Sequence, residues 1–400
     1  MDFFAVAVDD AAFLLRWAHV LAAVLMVGSA FALLKLDFAM KPRAEDPTPQ
    51  SLLLHAGAGF RFLRARDADA AERALSFKWE FYATWASGFA LLCLVFCAAP
   101  RLYLIDPQLW NASPWAAVAA ALIPLALTWL AYDWLCKKGG LSGDALLVAL
   151  FLFAALLALA LTQVFSGRAA YVLIGAHLGT LMVANIAHVV APVQKRRLAS
   201  LRAGLPADEA DAKAAGARAL HNQYLALPTL FFMLSGHAPL LFAGPRNGLA
   251  AVLFIAGLFL TRRLWLKFSR GLGVDRRLGG AAAACLTLGF CLSAPGGPKA
   301  GGEALNASQA IALAVRPDAS EAQKIIDGHC VACHAARPQV EGLVTAAGGL
   351  DFSTPGSIAL HRGAILRAAV YSRAMPPPGM APALGDHEKN LLIRWAQIEH

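Results

Sequence analysis

The chain has 400 residues, of which 58% are hydrophobic and 15% charged, and its mean hydropathy is +0.55. Soluble chains average about 45–50% apolar and about 25% charged residues, so this balance excludes a disordered chain and an ordinary soluble enzyme. The net charge of +9 would suggest nucleic acid in a soluble protein, but no nucleic-acid motif is present, and in a membrane protein a basic excess records topology.

Eight apolar segments follow in chain order, at residues 13–34, 81–99, 115–135, 144–165, 169–191, 223–243, 248–266 and 278–294. A bilayer-crossing helix needs about 20 apolar residues, and the last segment is the shortest. The first ten residues hold Asp2, Asp9 and Asp10 and no Lys or Arg. A cleavable signal peptide would have a basic start, so the first span is expected to stay in place. The run Pro295–Gly302 breaks the pattern. The expected organisation is a transmembrane domain over 1–294, a Gly/Pro-rich linker over 295–318 and a small soluble helical domain over 319–400. The fold class is all-α: an eight-helix transmembrane bundle followed by a small soluble helical domain that the motif Cys330-Val-Ala-Cys333-His334 marks as class I-like cytochrome c.

Charge orients this bundle. The connections 35–80, 136–143, 192–222 and 262–277 together hold 22 Lys and Arg, while the other three hold only Arg101, Arg168 and Arg246. The positive-inside bias places the first set in the cytoplasm. Eight crossings then put the N-terminus and the C-terminal domain on the outer side, the periplasm of a bacterial inner membrane.

Cys330-Val-Ala-Cys333-His334 is a c-type haem attachment motif. Cys330 and Cys333 would form thioethers to one haem c, and His334 would be an axial ligand. The motif follows a predicted helix over 320–328. A second predicted helix, 385–398, places Leu391, Leu392 and Trp395 on one apolar face. Met375, in Ala374-Met375-Pro376-Pro377, is the expected sixth ligand, with Met380 as competitor. A thioether ligand raises the potential and favours electron transfer. Haem attachment occurs outside the cytoplasm, in agreement with the charge-derived orientation.

Ionisable residues within spans mark candidate function. The outer half collects Arg16, His19, Arg168, His177 and His237. The inner half and its loops collect Lys35, Asp37, His55, Lys78, Glu80, Tyr132, Asp133, Asn185, His188, His221, Asn222 and Tyr224. His177 and His188 share a helix face about 16.5 Å apart along the axis. His19, His177, His188 and His237 are candidate ligands for haem b held between helices; the alternative is that each histidine hydrogen-bonds a neighbouring helix. Cys93, Cys97, Cys136, Cys285 and Cys291 read as small core residues. Gly57 and Gly59, in His55-Ala-Gly-Ala-Gly-Phe60, follow no predicted strand. A dinucleotide fingerprint is therefore excluded, and the segment is expected to be a loop, plain or re-entrant.

These residues resemble the membrane-bound urate oxidase family, the PuuD-type urate hydroxylases. The resemblance rests on Arg16-Trp-Ala-His19-Val, Gly28-Ser-Ala-Phe31, Leu36-Asp37, the His55–Phe60 segment and Phe77-Lys-Trp-Glu-Phe-Tyr-Ala-Thr-Trp-Ala-Ser-Gly-Phe89. It continues through Tyr132-Asp133, Arg168-Ala-Ala, Ala184-Asn185, His221-Asn-Gln-Tyr224, Leu227-Pro228 and Met233-Leu-Ser-Gly-His237. The family has a His-Trp pair where this chain has Leu75-Ser76. Its glycine loop is richer in glycine, and an Asn-containing stretch follows the methionine where this chain has Pro378-Gly-Met380.

The resemblance implies oxidation of urate to 5-hydroxyisourate, with electrons leaving through haem c to a soluble cytochrome c or terminal oxidase and no peroxide formed. Urate is planar, anionic and made in the cytoplasm, which suits the inner residues Lys78, Asn185, His221 and Asn222. Loss of its N–H protons needs a base, for which His55, Glu80 and His188 are candidates. Two other readings use the same residues: a membrane dehydrogenase of another small reductant or a quinol, and a non-enzymatic conduit to haem c.

Overall fold

A computed structural model describes residues 3–40, 50–55, 58–63, 77–138, 141, 143–206, 208–242, 244–293, 319–340, 343, 345–371, 375–377 and 379–396. The expected linker and the Leu75-Ser76 departure lie outside the described residues.

All eight apolar segments are helical. They are α1 (Phe3–Ala39), α2 (Lys78–Leu91, continued by the π-helical turn Leu92–Cys97), α4 (Pro114–Lys138), α5 (Gly143–Val164), α6 (Gly167–Asn185), α8 (Glu209–Leu234), α9 (Asn247–Ser269) and α10 (Arg276–Ser293). The short α3 (Pro100–Tyr103) lies between α2 and α4, and α6 runs through a π-helical turn, Ile186–Val190, into α7 (Ala191–Arg202). Six of these stretches are long and apolar enough to cross a membrane: 10–39, 78–97, 114–138, 143–164, 167–202 and 247–269. The other two, α8 and α10, are outside that set. The first half of α8 is rich in charge, and α10 is 18 residues long.

The centre of the bundle is α6. Tyr171, Leu173, Ile174, His177, Leu178 and Leu181 are all fully buried and line about half of the helix circumference, and most of the positions between them are only half-buried. It packs on α5, α8 and α4, while α9 pairs with α10 and α1 with α2. The peripheral helices keep apolar residues outward, among them Trp17, Val20 and Val24 on α1 and Ile123 and Leu127 on α4. Trp115 and Trp134 stand exposed near opposite ends of α4, about 30 Å apart by helical rise, the thickness of a hydrocarbon core. They match an aromatic belt at both interfaces.

One element departs from the all-α expectation. The segment expected as a loop is a hairpin of β1 (Gln50–His55) and antiparallel β2 (Ala58–Leu63), with Gln50 opposite Leu63 and His55 opposite Ala58. The run Leu52-Leu53-Leu54 lacks the polar alternation that marks a half-buried strand, so composition did not reveal it.

Residues 319–396 have a core of their own. It is built on Ala322 and Ile326 of α11 (Ala319–His329), Ile358 and Ile365 of α12 (Pro355–Ile365), and Leu391, Leu392 and Trp395 of α13 (Asp386–Ala396), with Phe352 between them. Thr354 caps α12 by accepting the Ser357 N–H, with Pro355 in the first turn. The Glu388 carboxylate reaches back to the Gly385 N–H at the start of α13 (2.7 Å). Both predicted helices of this region are present.

Candidate functional site

Two polar regions stand out, one at each end of the bundle; the end with the Lys- and Arg-rich connections is called inner and the other outer.

The inner region forms where α4, α6 and α8 meet. Arg218 sits on α8 one turn before His221 and Asn222, so all three share a face. Arg218 donates to the Asp133 carboxylate (2.6 Å) and to Asn185 Oδ1 (3.3 Å). Asn185 Nδ2 donates to the Tyr132 hydroxyl (3.1 Å) and to Asn222 Oδ1 (2.9 Å), and Asn222 donates to the Met182 carbonyl (2.9 Å). The Tyr132 hydroxyl, accepting from Asn185, also shares a hydrogen bond with His221 Nδ1 (2.6 Å). These bonds link Arg218 to His221 in one buried chain. The Arg218 guanidinium also lies 4.8 Å from the centre of the Tyr132 ring. Lys137 adds a second cation on Asp133 at 2.8 Å. The π-helical turn begins directly after Asn185, and such turns recur at functional positions.

Beside this cluster is a void of about 10 Å³ lined by Met26, Phe31, Phe81, Met182, Asn222 and Gln223, among others. That is room for about one water. Gln223 accepts a hydrogen bond from the buried Arg262, whose guanidinium stacks 4.3 Å from the Phe31 ring and 4.8 Å from the Trp265 ring. A second buried guanidinium thus stands behind the void.

The outer region is a cavity of about 980 Å³ between residues 319–396 and the outer loops. Cys330, Cys333, His334, Met375 and Met380 line it. The Cys330–His334 turn continues α11, with the His334 N–H on the Cys330 carbonyl (2.9 Å). His334 Nδ1 bonds the Leu350 carbonyl (3.0 Å), and the ring stacks on Phe352 at 4.7 Å. That backbone bond orients the imidazole and leaves Nε2 for a metal. Burial lowers the pKa of His334 and, with the Cys333 sulfur beside it, pushes the Cys330 thiol up to about 11. A neutral imidazole is the form that ligates iron, and a thioether replaces a buried S–H without burying charge. The residues fit a covalently attached haem.

Residues 5–292 match the urate oxidase N-terminal family, close to three-quarters of the chain. The chain belongs to that family. Membership implies an oxidoreductase. Comparisons with curated proteins and with solved structures give no match.

Within this urate oxidase N-terminal region, the structure gathers Asn185, His221 and Asn222 of the predicted site. The other predicted positions stand apart from that network. Lys78 lies 5.5 Å from the Trp79 ring centre. Glu80 has a buried carboxylate oxygen without a hydrogen bond, and its neighbour Phe81 lines the void. His55 ends β1, and its side chain lies outside the described residues. His188 is exposed and stacks on Trp129 at 4.7 Å.

Of the four histidines considered for haem b, His19 and His177 hydrogen-bond neighbouring groups, and His188 and His237 are exposed. His19 bonds the Thr84 carbonyl (3.0 Å) and Ser87 (3.1 Å) and lies tight against Gly88. His177 bonds the Leu173 carbonyl (2.8 Å), and its Nε2 is buried without a hydrogen-bond partner among the described residues. His237 is exposed on a 3-10 turn.

Sequence reasoning counted Arg218 and Arg262 only as topological charge. Signals for both were present: Arg218 precedes His221 by three residues, and Arg262 falls inside an apolar segment, where an ionisable residue marks function by default.

Proposed function

We propose that the inner cluster oxidises urate to 5-hydroxyisourate, and that the two electrons leave toward the outer cavity. The observation that carries this reading is the buried Arg218–Asn185–Tyr132–His221 chain inside a urate oxidase family region. Urate is an anion, and buried Arg262 bonds Gln223 of the void wall while Arg218, paired with Asp133, reaches it through Asn185 and Asn222. Addition of water oxygen at C5 releases two protons and two electrons. In this reading His221 carries its hydrogen on Nε2 and accepts a proton at Nδ1, the position Tyr132 holds. A proton taken by the Tyr132 oxygen therefore moves the hydroxyl hydrogen to His221, and the nearby guanidinium opposes build-up of negative charge on the tyrosyl oxygen. A one-water void cannot hold a purine, so binding displaces part of its wall.

Cys330, Cys333, His334 and Met375 would hold the outer group, with Met375 as sixth ligand because it packs against the core of that region. When bound, a c-type haem supplies a one-electron acceptor of raised potential. With each electron handed on from that group to a soluble cytochrome c or terminal oxidase, both electrons are accounted for, no oxygen need be reduced at the urate site and no peroxide forms there. The protein then sits in the inner membrane with this region in the periplasm.

Anaerobic addition of urate to the purified full chain tests the reading. The haem c α-band appears with urate alone. Reduction by a quinol or a partner protein but not by urate would assign one of the other two readings.

A further inference from the structure

The outer cavity is not closed by residues 319–396 alone. Its opposite wall is the outer rim of the membrane region, including Arg16 of α1, Tyr103 of α3, and Ser166 and Arg168 at the start of α6. The two regions touch directly there: Pro239–Leu241 packs against Leu366–Tyr371, and a side chain at Gly379 would strike the Pro107 ring at 2.6 Å.

The distribution of charge around this wall is one-sided. Among the described residues, no Lys or Arg of 319–396 lines the cavity. The titratable side chain this half offers besides the haem-site residues is His329, which is bonded to the Pro382 carbonyl (2.8 Å) and to Glu388 (3.1 Å). The cations in the wall are Arg16 and Arg168. Neither has a carboxylate partner among the described residues, and the Arg168 guanidinium rests 5.5 Å from the Tyr103 ring centre. The wall's carboxylate, Asp106, already accepts the Gln108 N–H (3.0 Å).

A c-type haem carries two propionate carboxylates, and a carboxylate in an enclosed site is costly unless a cation or donor meets it. We propose that Arg16 and Arg168 are the counter-charges of these propionates. The group is then shared across the chain: residues 319–396 supply the thioethers and axial ligands, and the membrane region supplies the charge. The soluble region is docked on the outer rim rather than swinging on its linker, and its potential is set partly by α1 and α6. The inference rests on the haem c reading above.

Positive charge beside the propionates favours the reduced state, so its removal lowers the midpoint potential. Spectroelectrochemical titration of full-length Arg16→Gln, Arg168→Gln and the double variant tests this. Haem c is counted in each sample by its pyridine haemochrome. The double variant should lower the ferrous-to-ferric ratio at fixed potential by tenfold or more, which is 59 mV for one electron. Arg168→Lys should retain most of the potential, and high salt should narrow the gap between wild type and variants. Arg101→Gln, on the same face but outside the cavity wall, is the control and should change nothing. An unchanged potential in a double variant with full haem c overturns the assignment. Wild-type protein without haem c would instead overturn the haem reading itself.

Discussion

At the scale of single residues, Tyr132 and Arg218 organise the inner site. The Tyr132 hydroxyl is the one group that joins Asn185 to His221. Tyr132→Phe keeps the ring and removes that link, leaving two buried groups unpaired at about 1–3 kcal/mol. Urate-driven haem reduction should slow by about 10²–10⁴, the range of a lost proton-transfer group. Stopped-flow measurement with urate checks the rate, and a variant as fast as wild type would remove Tyr132 from the proton path. Arg218 is buried against Asp133, and taking away one partner of a buried pair costs about 3–5 kcal/mol. Arg218→Gln should therefore lower the Tm in detergent as well as weaken urate binding. If only binding changes, the residue is no structural tie. Asn185, His221 and Asn222 were legible in sequence as polar residues at the edges of apolar segments. Their partner Arg218 was marked only by its spacing to His221, because a basic residue in a basic connection otherwise looks the same whether it faces lipid headgroups or a buried carboxylate.

At the scale of elements, the α9–α10 pair shows how close packing replaces polarity. An added side-chain carbon at Gly257 would lie 2.7 Å from Leu286, and one at Gly289 would lie 2.8 Å from Phe254. Small residues let helices approach closely in a membrane, where no hydrophobic drive pulls them together. Gly257→Val should cost about 1–3 kcal/mol by overpacking, read as a fall in thermal midpoint in detergent. Asp275 joins the same two helices, accepting from Lys267 (2.7 Å) and from the Leu278 N–H at the start of α10 (3.2 Å). The Lys267 hydrogen bond, with that N–H, holds its carboxyl below the ordinary carboxylate value. A lowered folded-state pKa stabilises above the ordinary value and loses that contribution as pH falls through the lowered one. Asp275→Asn should thus be less stable than wild type at neutral pH and converge with it in acid. A constant gap across the pH range would show that charge plays no part. Helix positions were readable from apolar length. The β1–β2 hairpin was not, since its triple leucine run carries neither helical nor strand periodicity.

At the scale of the whole molecule, the bias in Lys and Arg and the position of the outer cavity point the same way. The loops that meet residues 319–396 are those around Leu102–Leu109, Ser166–Arg168 and Pro239–Asn247, and these are the connections poor in Lys and Arg. Single cysteines placed at Gln108 and Ser200, with Cys93, Cys97, Cys136, Cys285 and Cys291 replaced, test the orientation. An impermeant maleimide should label the Gln108 site in intact cells and the Ser200 site only after permeabilisation. The reverse pattern would invert the topology.

Sequence alone determined that the chain is built on apolar helices, which loops carry the basic charge, and where the Cys330–His334 motif lies. Each of these is a local property, carried by residue type and spacing along the chain. Tertiary structure decided which polar residues meet, because helices apolar on every face do not declare which side turns inward. It joined Tyr132 to His221 across α4 and α8, buried Arg218 and Arg262, left Lys78 and His188 outside the network, and set Arg16 and Arg168 opposite the haem motif. Those contacts link residues far apart in the chain, and only packing brings them within hydrogen-bond reach.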